Sequence, residues 1–431
     1  MAQQQITASI FDINLLARSR ALISLAILGA LLTMASTARA QTFQVLHNFT
    51  GGRDGANPVD GLTIDRNGNL YGTASAGGNH AYGCQNFYQT QGCGAVFELA
   101  HSGTGWILRP LYDFQDDSGN PSLGVVFGPD GALYGVANGA GGCSDYDTCG
   151  EVFRLAPPPT QCPGFTCNWQ QTVLHQFTGM PDGSLPASRL IFDSTGNMYG
   201  VTFFGGLYNV GAAYELSRNG GGWTENVIYS FNVNNQDLGV SFPGGQLAID
   251  PSGNLYGASD CSSTLGCFYG AVWQLQPSQG SWTLNELYDF NGFNGYEPVA
   301  LLRDSAGDLF GTTFGDGGND SAAVYELSPY NGGWNYSQLY TYGGFGEDDT
   351  AYLVMDSAGN LYGADSITGD GYIFKLTRSG SGWTFSRLHS FSGPDGAGAT
   401  GQLVLDSAGN LYGATAVGGA YGYGVIWEIT P

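Results

Sequence analysis

Gly68-Asn69-Leu70-Tyr71-Gly72, three residues after Asp65, is a phrase this chain uses seven times. It returns as Gly131…Leu133-Tyr134-Gly135 after Asp130, and as Gly196-Asn197-Met198-Tyr199-Gly200 after Asp193. Gly253-Asn254-Leu255-Tyr256-Gly257 and Gly307-Asp308-Leu309-Phe310-Gly311 follow Asp250 and Asp304, and Gly359-Asn360-Leu361-Tyr362-Gly363 follows Asp356. Gly409-Asn410-Leu411-Tyr412-Gly413 after Asp406 completes the set. A strand-like unit recurring every 50 to 65 residues means one supersecondary element repeated, as in propellers and solenoids.

Each unit reads as four strands. The first is the apolar run before the Asp, such as Leu62-Thr63-Ile64, whose successive apolar residues suit burial on both faces. Asp-x-x-Gly then predicts a tight turn: Asp accepts hydrogen bonds from the turn backbone, and Gly takes the left-handed dihedrals. Leu-Tyr-Gly opens the second strand, with its Gly expected at a bend or against a neighbouring blade. The third strand is Val96-Phe97-Glu98-Leu99 and its counterparts. The fourth opens on Trp106, Trp169, Trp223, Trp282, Trp334 or Trp383, which makes six fourth strands for seven units.

The missing strand stands at the other end. Leu46-His47-Asn48-Phe49 matches Leu174-His175-Gln176-Phe177 and Leu388-His389-Ser390-Phe391, while the last unit stops at Ile429-Thr430-Pro431. A ring closed by one strand from each end leaves no open sheet edge. The expectation is an all-β, seven-bladed β-propeller of four-stranded antiparallel blades over residues 41–431, the last blade, 401–431, being completed by strand 43–49.

Residues 1–40 read as a secretory signal peptide. Arg18 and Arg20 precede the apolar run 21–35, too short to span a membrane comfortably, and Ala38-Arg39-Ala40 offers the small residues of a cleavage site. The mature chain is expected outside the cytoplasm, secreted or periplasmic, without membrane insertion. Removing Asp12, Arg18, Arg20 and Arg39 takes acids from 36 to 35 and bases from 13 to 10, so the net charge moves from −23 to −25. So acidic a surface repels phosphate backbones and anionic lipid, which excludes nucleic acid as a partner and favours a soluble monomer.

Eight cysteines form four local pairs, Cys84/Cys93, Cys143/Cys149, Cys162/Cys167 and Cys261/Cys267. With an export signal these read as disulfides that stiffen loops. Zinc is the weaker alternative, since no Cys-x2-Cys spacing occurs and His80 has no second partner.

In a four-stranded blade, the second-to-third and fourth-to-first connections share one face. The three longest of the former hold three Cys pairs, and the latter carry acids including Asp54, Asp182, Glu297 and Asp395. On that face Tyr82, Tyr88, Tyr146, Tyr208, Tyr269, Tyr421 and Tyr423 stand near Asp54, Asp182 and Asp395. Aromatic faces on sugar rings with carboxylates on the hydroxyls is how neutral carbohydrate is held. His47, His175 and His389 share a position with Tyr112, Tyr229, Tyr288 and Tyr340 and read as packing. Strand-entry positions of the centre hold one acid, Asp60, too few for a coordination shell. No catalytic motif is present, so catalytic and metal residues are unassigned, no cofactor is expected, and calcium at the acidic loops stays open.

The quoted Gly-Asn-Leu-Tyr-Gly, Gly-Gly and Gly94-Ala95-Val96-Phe97-Glu98-Leu99 phrases resemble the GloVer-type, "choice-of-anchor" tandem repeat of secreted bacterial proteins. That resemblance implies export and varied anchors, and assigns no catalytic residues; no anchor segment precedes Pro431, which leaves surface attachment open. The strand-Asp-x-x-Gly-strand pattern is more loosely similar to NHL and lactonase-like propellers. The expected function is a secreted, non-enzymatic binding propeller for a glycan or another extracellular protein. A hydrolase or lyase acting on polysaccharide or lactone, and a structural envelope or matrix protein, are the alternatives.

Overall fold

Asp65 builds its turn as the sequence predicts: Oδ1 accepts from the backbone N–H of Asn67 at 2.8 Å and of Asn69 at 2.9 Å, and Gly68 takes a φ of 83°. Asp193, Asp250, Asp356 and Asp406 repeat the arrangement. A clamp joins it that spacing alone does not reveal. The Tyr71 hydroxyl lies 3.3 Å from Asp65 Oδ2 and 3.1 Å from Glu98 on the next strand, so one phenol ties turn, second strand and third strand together. Tyr134, Tyr199, Tyr256, Tyr362 and Tyr412 reach their Asp in the same way. The fifth unit has Phe310 and Asp308 instead of Tyr and Asn, and keeps only the backbone bonds to Asp304.

The computed structural model describes residues 41–78, 90–103, 105–115, 120–139, 149–158, 169–232, 240–262, 266–315, 322–342, 352–366, 370–380 and 382–431. The expected signal peptide lies outside these, as do Tyr82, Tyr88, Tyr146, Cys84, Cys143, Cys162 and Cys167. Among the described residues every regular element is a strand, and no helix is long and apolar enough to cross a membrane. Five antiparallel sheets follow in chain order, spanning 120–177, 183–230, 241–289, 296–342 and 354–390. A sixth, eight-stranded sheet runs Thr42–Asn48, Val425–Thr430, Leu411–Val417, Ala397–Leu405, then Ala56–Ile64, Leu70–Ala76, Ala95–Ser102 and Gly105–Asp113. Its halves meet through the parallel pair Gly61 and Gln402.

The Gly of Leu-Tyr-Gly has a different neighbour from the one expected. In every unit it lies opposite the aromatic residue of its own third strand: Phe97, Phe153, Tyr214, Trp273, Tyr325, Phe374 and Trp427. The ring lies flat over the missing side chain. A methyl at Gly257 would stand 2.2 Å from Trp273, and one at Gly72 2.6 Å from Phe97. The sibling strand, and not an adjacent blade, makes the position glycine.

These rings form the cores between successive sheets. Phe153 and Leu155 pack with Val96, Leu111 and Phe114 of the preceding sheet, and Trp273 packs with Phe231 and Ile228. The same relation joins the last strands to the first, where Tyr412, Ala414 and Ile426 pack with Leu70 and Phe97. Where the innermost strands begin, a buried ion pair takes the place of an apolar core. Arg189 Nε lies 2.9 Å from Asp60 Oδ2, which also accepts from Gly124 N–H at 2.8 Å. Arg189 further donates to Gln402 Oε1 at 2.6 Å, and Tyr352 hydrogen-bonds Asp60. Asp60, the single acid of those positions, is therefore committed to a guanidinium. Burial pushes its carboxyl up, against the pull of Arg189 and Gly124.

The cysteines at the ends of the long loops sit at the base of the sheets. Both Cys93 and Cys149 are buried. Cys93 is fully enclosed and packs in the core that holds Leu111, Phe114 and Val125, and Cys149 is 2% exposed. The reason is their place in the chain. Cys93 stands two residues before the strand Ala95–Ser102, and Cys149 immediately before Gly150–Ala156. Each side chain therefore enters the base of the sheet, where a small apolar sulfur fits. They anchor their loops from beneath and offer no surface to a ligand. Their expected partners Cys84 and Cys143 lie outside the described residues.

Two outcomes follow from this packing. Gly257→Ala should cost about 1–3 kcal/mol in thermal or denaturant unfolding, as overpacked cores do, while Gly105→Ala, with open space around it, should stay within about 0.5 kcal/mol. Arg189→Met should cost about 3–5 kcal/mol by stranding Asp60, and adding Asp60→Leu should recover most of it; a double variant as unstable as the single one contradicts this account.

Candidate functional site

The site begins with a latch at the end of the fourth strand. On Gln170–Phe177, His175 presents Nε2 at 3.2 Å from Asp182, seven residues on. Asp182 closes the intervening turn by accepting from Thr178 N–H at 3.0 Å and from its hydroxyl at 3.2 Å. His47/Thr50/Asp54 and His389/Ser392/Asp395 are built alike, with His-to-Asp distances of 3.1 and 2.9 Å. Where the position holds Tyr288, Asn294 replaces the Asp and donates to the phenol. Three of the expected ligand acids are thus partners of the histidines read as packing. Burial pushes Asp54 and Asp395 up, but the hydrogen bonds from His and Thr or Ser outweigh it and leave both below the ordinary carboxylate value.

The next fourth strand covers each latch with the residue two places after its Trp. Phe43 stacks on His389 at 3.5 Å, Tyr336 on Tyr288 at 5.0 Å and Phe385 on Tyr340 at 4.2 Å. Gln171 accepts from the Tyr112 hydroxyl, and Leu284 packs with Tyr229. Against His175 the residue is Glu225, a carboxylate where the other units place Phe43, Leu108, Gln171, Leu284, Tyr336 and Phe385. His175 Nε2, an Asp182 oxygen and a Glu225 oxygen lie within 4.8 Å of one another. Glu225 Oε1 is buried without a hydrogen-bond partner. Burial and the nearby Asp182 charge push Glu225 up to about 7, with His175 pulling the other way.

Above this group lies a cleft of about 690 Å³, lined by Pro181, Asp182, Leu207, Tyr208, Glu225, Tyr229, Ser230 and Asn232 among others. One wall is a preformed loop. Gly205, Gly206, Asn209 and Gly211 all have positive φ, at 80°, 71°, 57° and 107°. Gly206 N–H donates to Asp182 O, Leu207 N–H to Ser230 Oγ and Gly205 N–H to Asn209 Oδ1. The loop's backbone is satisfied by its own base, and Leu207 and Tyr208 project outward, 60% and 49% exposed. Two exposed side chains with apolar surface on one rim make a patch that water covers poorly.

Of the expected ligand residues, Asp182 and Tyr208 meet in this cleft. Asp54 and Asp395 belong to the two other latches. Tyr421 takes the place of Tyr208 in the loop at 418–424, where Ala420 N–H is held by Asn48. Tyr269 covers Gly292 and packs into the apolar core, and Tyr423 covers Gly51. Among the described residues no cysteine is free: Cys93 and Cys149 lie buried at the bases of their loops, and Cys261 lies opposite Cys267 across a strand pair. None of them lines the cleft. Glu225, Tyr229 and His175 as an acid's partner escaped the sequence reading. The signal for Glu225 was present: a lone acid in a column of otherwise uncharged residues.

Glu225 gives a pH signature. Its folded value is raised, so its contribution to stability is full below its unfolded value and is lost as pH rises through about 7. The melting-temperature gain of Glu225→Gln over the unaltered chain, measured in chelator, should therefore be larger at pH 8 than at pH 5. An equal difference at both would show that Glu225 ionises freely.

Two solved structures are similar to this chain. The "putative 6-phosphogluconolactonase" of Bacteroides uniformis matches with a TM-score of 0.50 at 13% identity, covering 83% of this chain and 93% of that one. The PQQ-bound aldose sugar dehydrogenase of Streptomyces coelicolor matches with a TM-score of 0.44 at 13% identity, covering 78% and 98%. At such identity the first likeness speaks for the fold alone: all-β and propeller-like. No curated protein matches the chain. Residues 163–370 match the model of the Gloeobacter/Verrucomicrobia repeat.

Proposed function

We propose that this chain is an exported, seven-bladed propeller that binds neutral carbohydrate, without catalysis, in the cleft beside Tyr208. The observation that carries the reading is the cleft itself: two phenols, Tyr208 and Tyr229, face a lining of Asp182, Glu225, Ser230 and Asn232. Apolar ring faces with a few convergent carboxylates, hydroxyls and amides are what a sugar's two kinds of surface require. The seven-bladed ring is supported by the strand Thr42–Asn48 on Val425–Thr430 and by the core that joins the last strands to the first. Each strand group would be one blade, closed without a free edge. Export rests on the signal-like first 40 residues, and the paired cysteines would be the disulfides of an oxidising compartment.

One observation favours a hydrolase as the second reading. Glu225, pushed up to about 7, would retain a proton near neutrality beside Asp182, the pairing an acid-assisted cleavage of glycosides uses.

The test is retention of residues 41–431 on an array of immobilised polysaccharides, with Tyr208→Ala beside the unaltered chain. Saturable retention on one glycan class, weakened about 10-fold or more by Tyr208→Ala in keeping with about 1.4 kcal/mol or more of lost ring contact, is the expected result. No retention on any glycan overturns the carbohydrate reading. Release of reducing ends, lost in Glu225→Gln, would move the assignment to a hydrolase.

A further inference from the structure

The three His–Asp latches form an internal experiment. In each, the imidazole and carboxylate are locked together by the same turn, and what differs is the residue laid over them by the next strand. Over His389 it is the ring of Phe43, and the equivalent residue for His47 is Leu108. Over His175 it is Glu225, whose Oε1 is buried and without a hydrogen-bond partner. A carboxylate in this column neither stacks, as Phe43, Tyr336 and Phe385 do, nor packs as an aliphatic, as Leu284 does. A buried phenol stands near the group. Tyr214, 1% exposed, has a hydroxyl with no partner and lies close enough to Glu225 and Asp182 to feel both charges. Its counterpart Tyr325, also unpartnered, has the phenol Tyr336 beside it instead of carboxylates.

We propose that His175 Nε2, Asp182 and Glu225 bind one divalent transition-metal ion of the zinc class at the floor of the cleft. This inference stands on the cluster's geometry and does not require that the cleft's ligand be a sugar. Two donors about 2.1 Å from a tetrahedral zinc lie about 3.4 Å apart, and His175 Nε2 already stands 3.3 and 3.2 Å from the two Asp182 oxygens. Glu225 places an oxygen within 4.8 Å of both His175 Nε2 and an Asp182 oxygen. The ion replaces the proton between His175 and Asp182, so Nε2 turns from donor to ligand and Nδ1 carries the ring proton. One nitrogen and two carboxylates suit zinc better than calcium, which gathers six to eight oxygens. The fourth position opens to the cleft, where water or a ligand hydroxyl can fill it. The two other latches lack a third donor in the column, and the ion is therefore confined to one place in the repeat.

The experiment is calorimetric titration of Zn2+ into chelator-treated residues 41–431, with melting temperatures measured with and without Zn2+. The expected result is one ion per chain and a rise in melting temperature. Both should be lost in Glu225→Leu, which installs the residue found at Leu108 and Leu284, and retained in Asp54→Asn, which alters a two-donor latch. Should Glu225→Leu fail to fold, Glu225→Gln keeps the shape and should also lose the ion. The proposal is overturned if no Zn2+ binds, if binding survives both Glu225 variants, or if only Ca2+ binds.

Discussion

The absence of one side chain in each unit governs the rest of this molecule. The glycine of Leu-Tyr-Gly leaves its second strand bare on one face, and the ring of the third strand lies down over it. A ring held flat presents its edge and outer face to the neighbouring sheet, where Phe49, Phe114, Phe177, Phe231, Phe290 and Phe391 meet it at centroid distances of 5.0 to 6.0 Å. The inter-sheet core is thus a chain of aromatic pairs, each dependent on a glycine in the strand beneath. Close packing of this kind tolerates neither added nor removed volume.

Much of this was legible because it is periodic. Asp65 and Gly68 announce their turn by residue type and spacing, and the first strands follow from the successive apolar residues before them. The Tyr71 clamp was not legible, since its partners Asp65 and Glu98 are set by how three strands twist together. The glycine was recognised as a point of close approach, yet the nearest ring is supplied by the sibling strand in register. Cys93 and Cys149 read as loop residues and lie in loops, just before their third strands; their burial is what the structure adds. At the centre, Asp60 read as an isolated acid. The fold alone brings Arg189 to it from more than a hundred residues away.

The site was legible in halves. Asp182 and Tyr208 could be chosen as a loop acid and a loop aromatic, but Asp54 and Asp395 satisfied the same description. What separates them lies on another strand, two residues after the next Trp. A column read down the repeat shows Glu225 to be the odd member; it does not show that the column faces the latch of the preceding unit. That relation is geometric, and it turns an ordinary acid into the third corner of a triangle.

A repeat offers the same position seven times, so whatever all copies share is accounted for by folding. Asp in the turn and Gly under the ring recur because the scaffold needs them, and Trp heads six of the seven fourth strands. The His–Asp latch is an intermediate case: three copies use it, and Tyr288 with Asn294 shows that a neutral pair can occupy the same place. An uncharged cover, whether ring, aliphatic or amide, is the scaffold's solution for the column above. Glu225 abandons it at a position where a buried, unpartnered carboxylate costs stability. In a structure where each repeated feature has a packing reason, a residue that works against packing in a single copy is the one for which function is the remaining explanation.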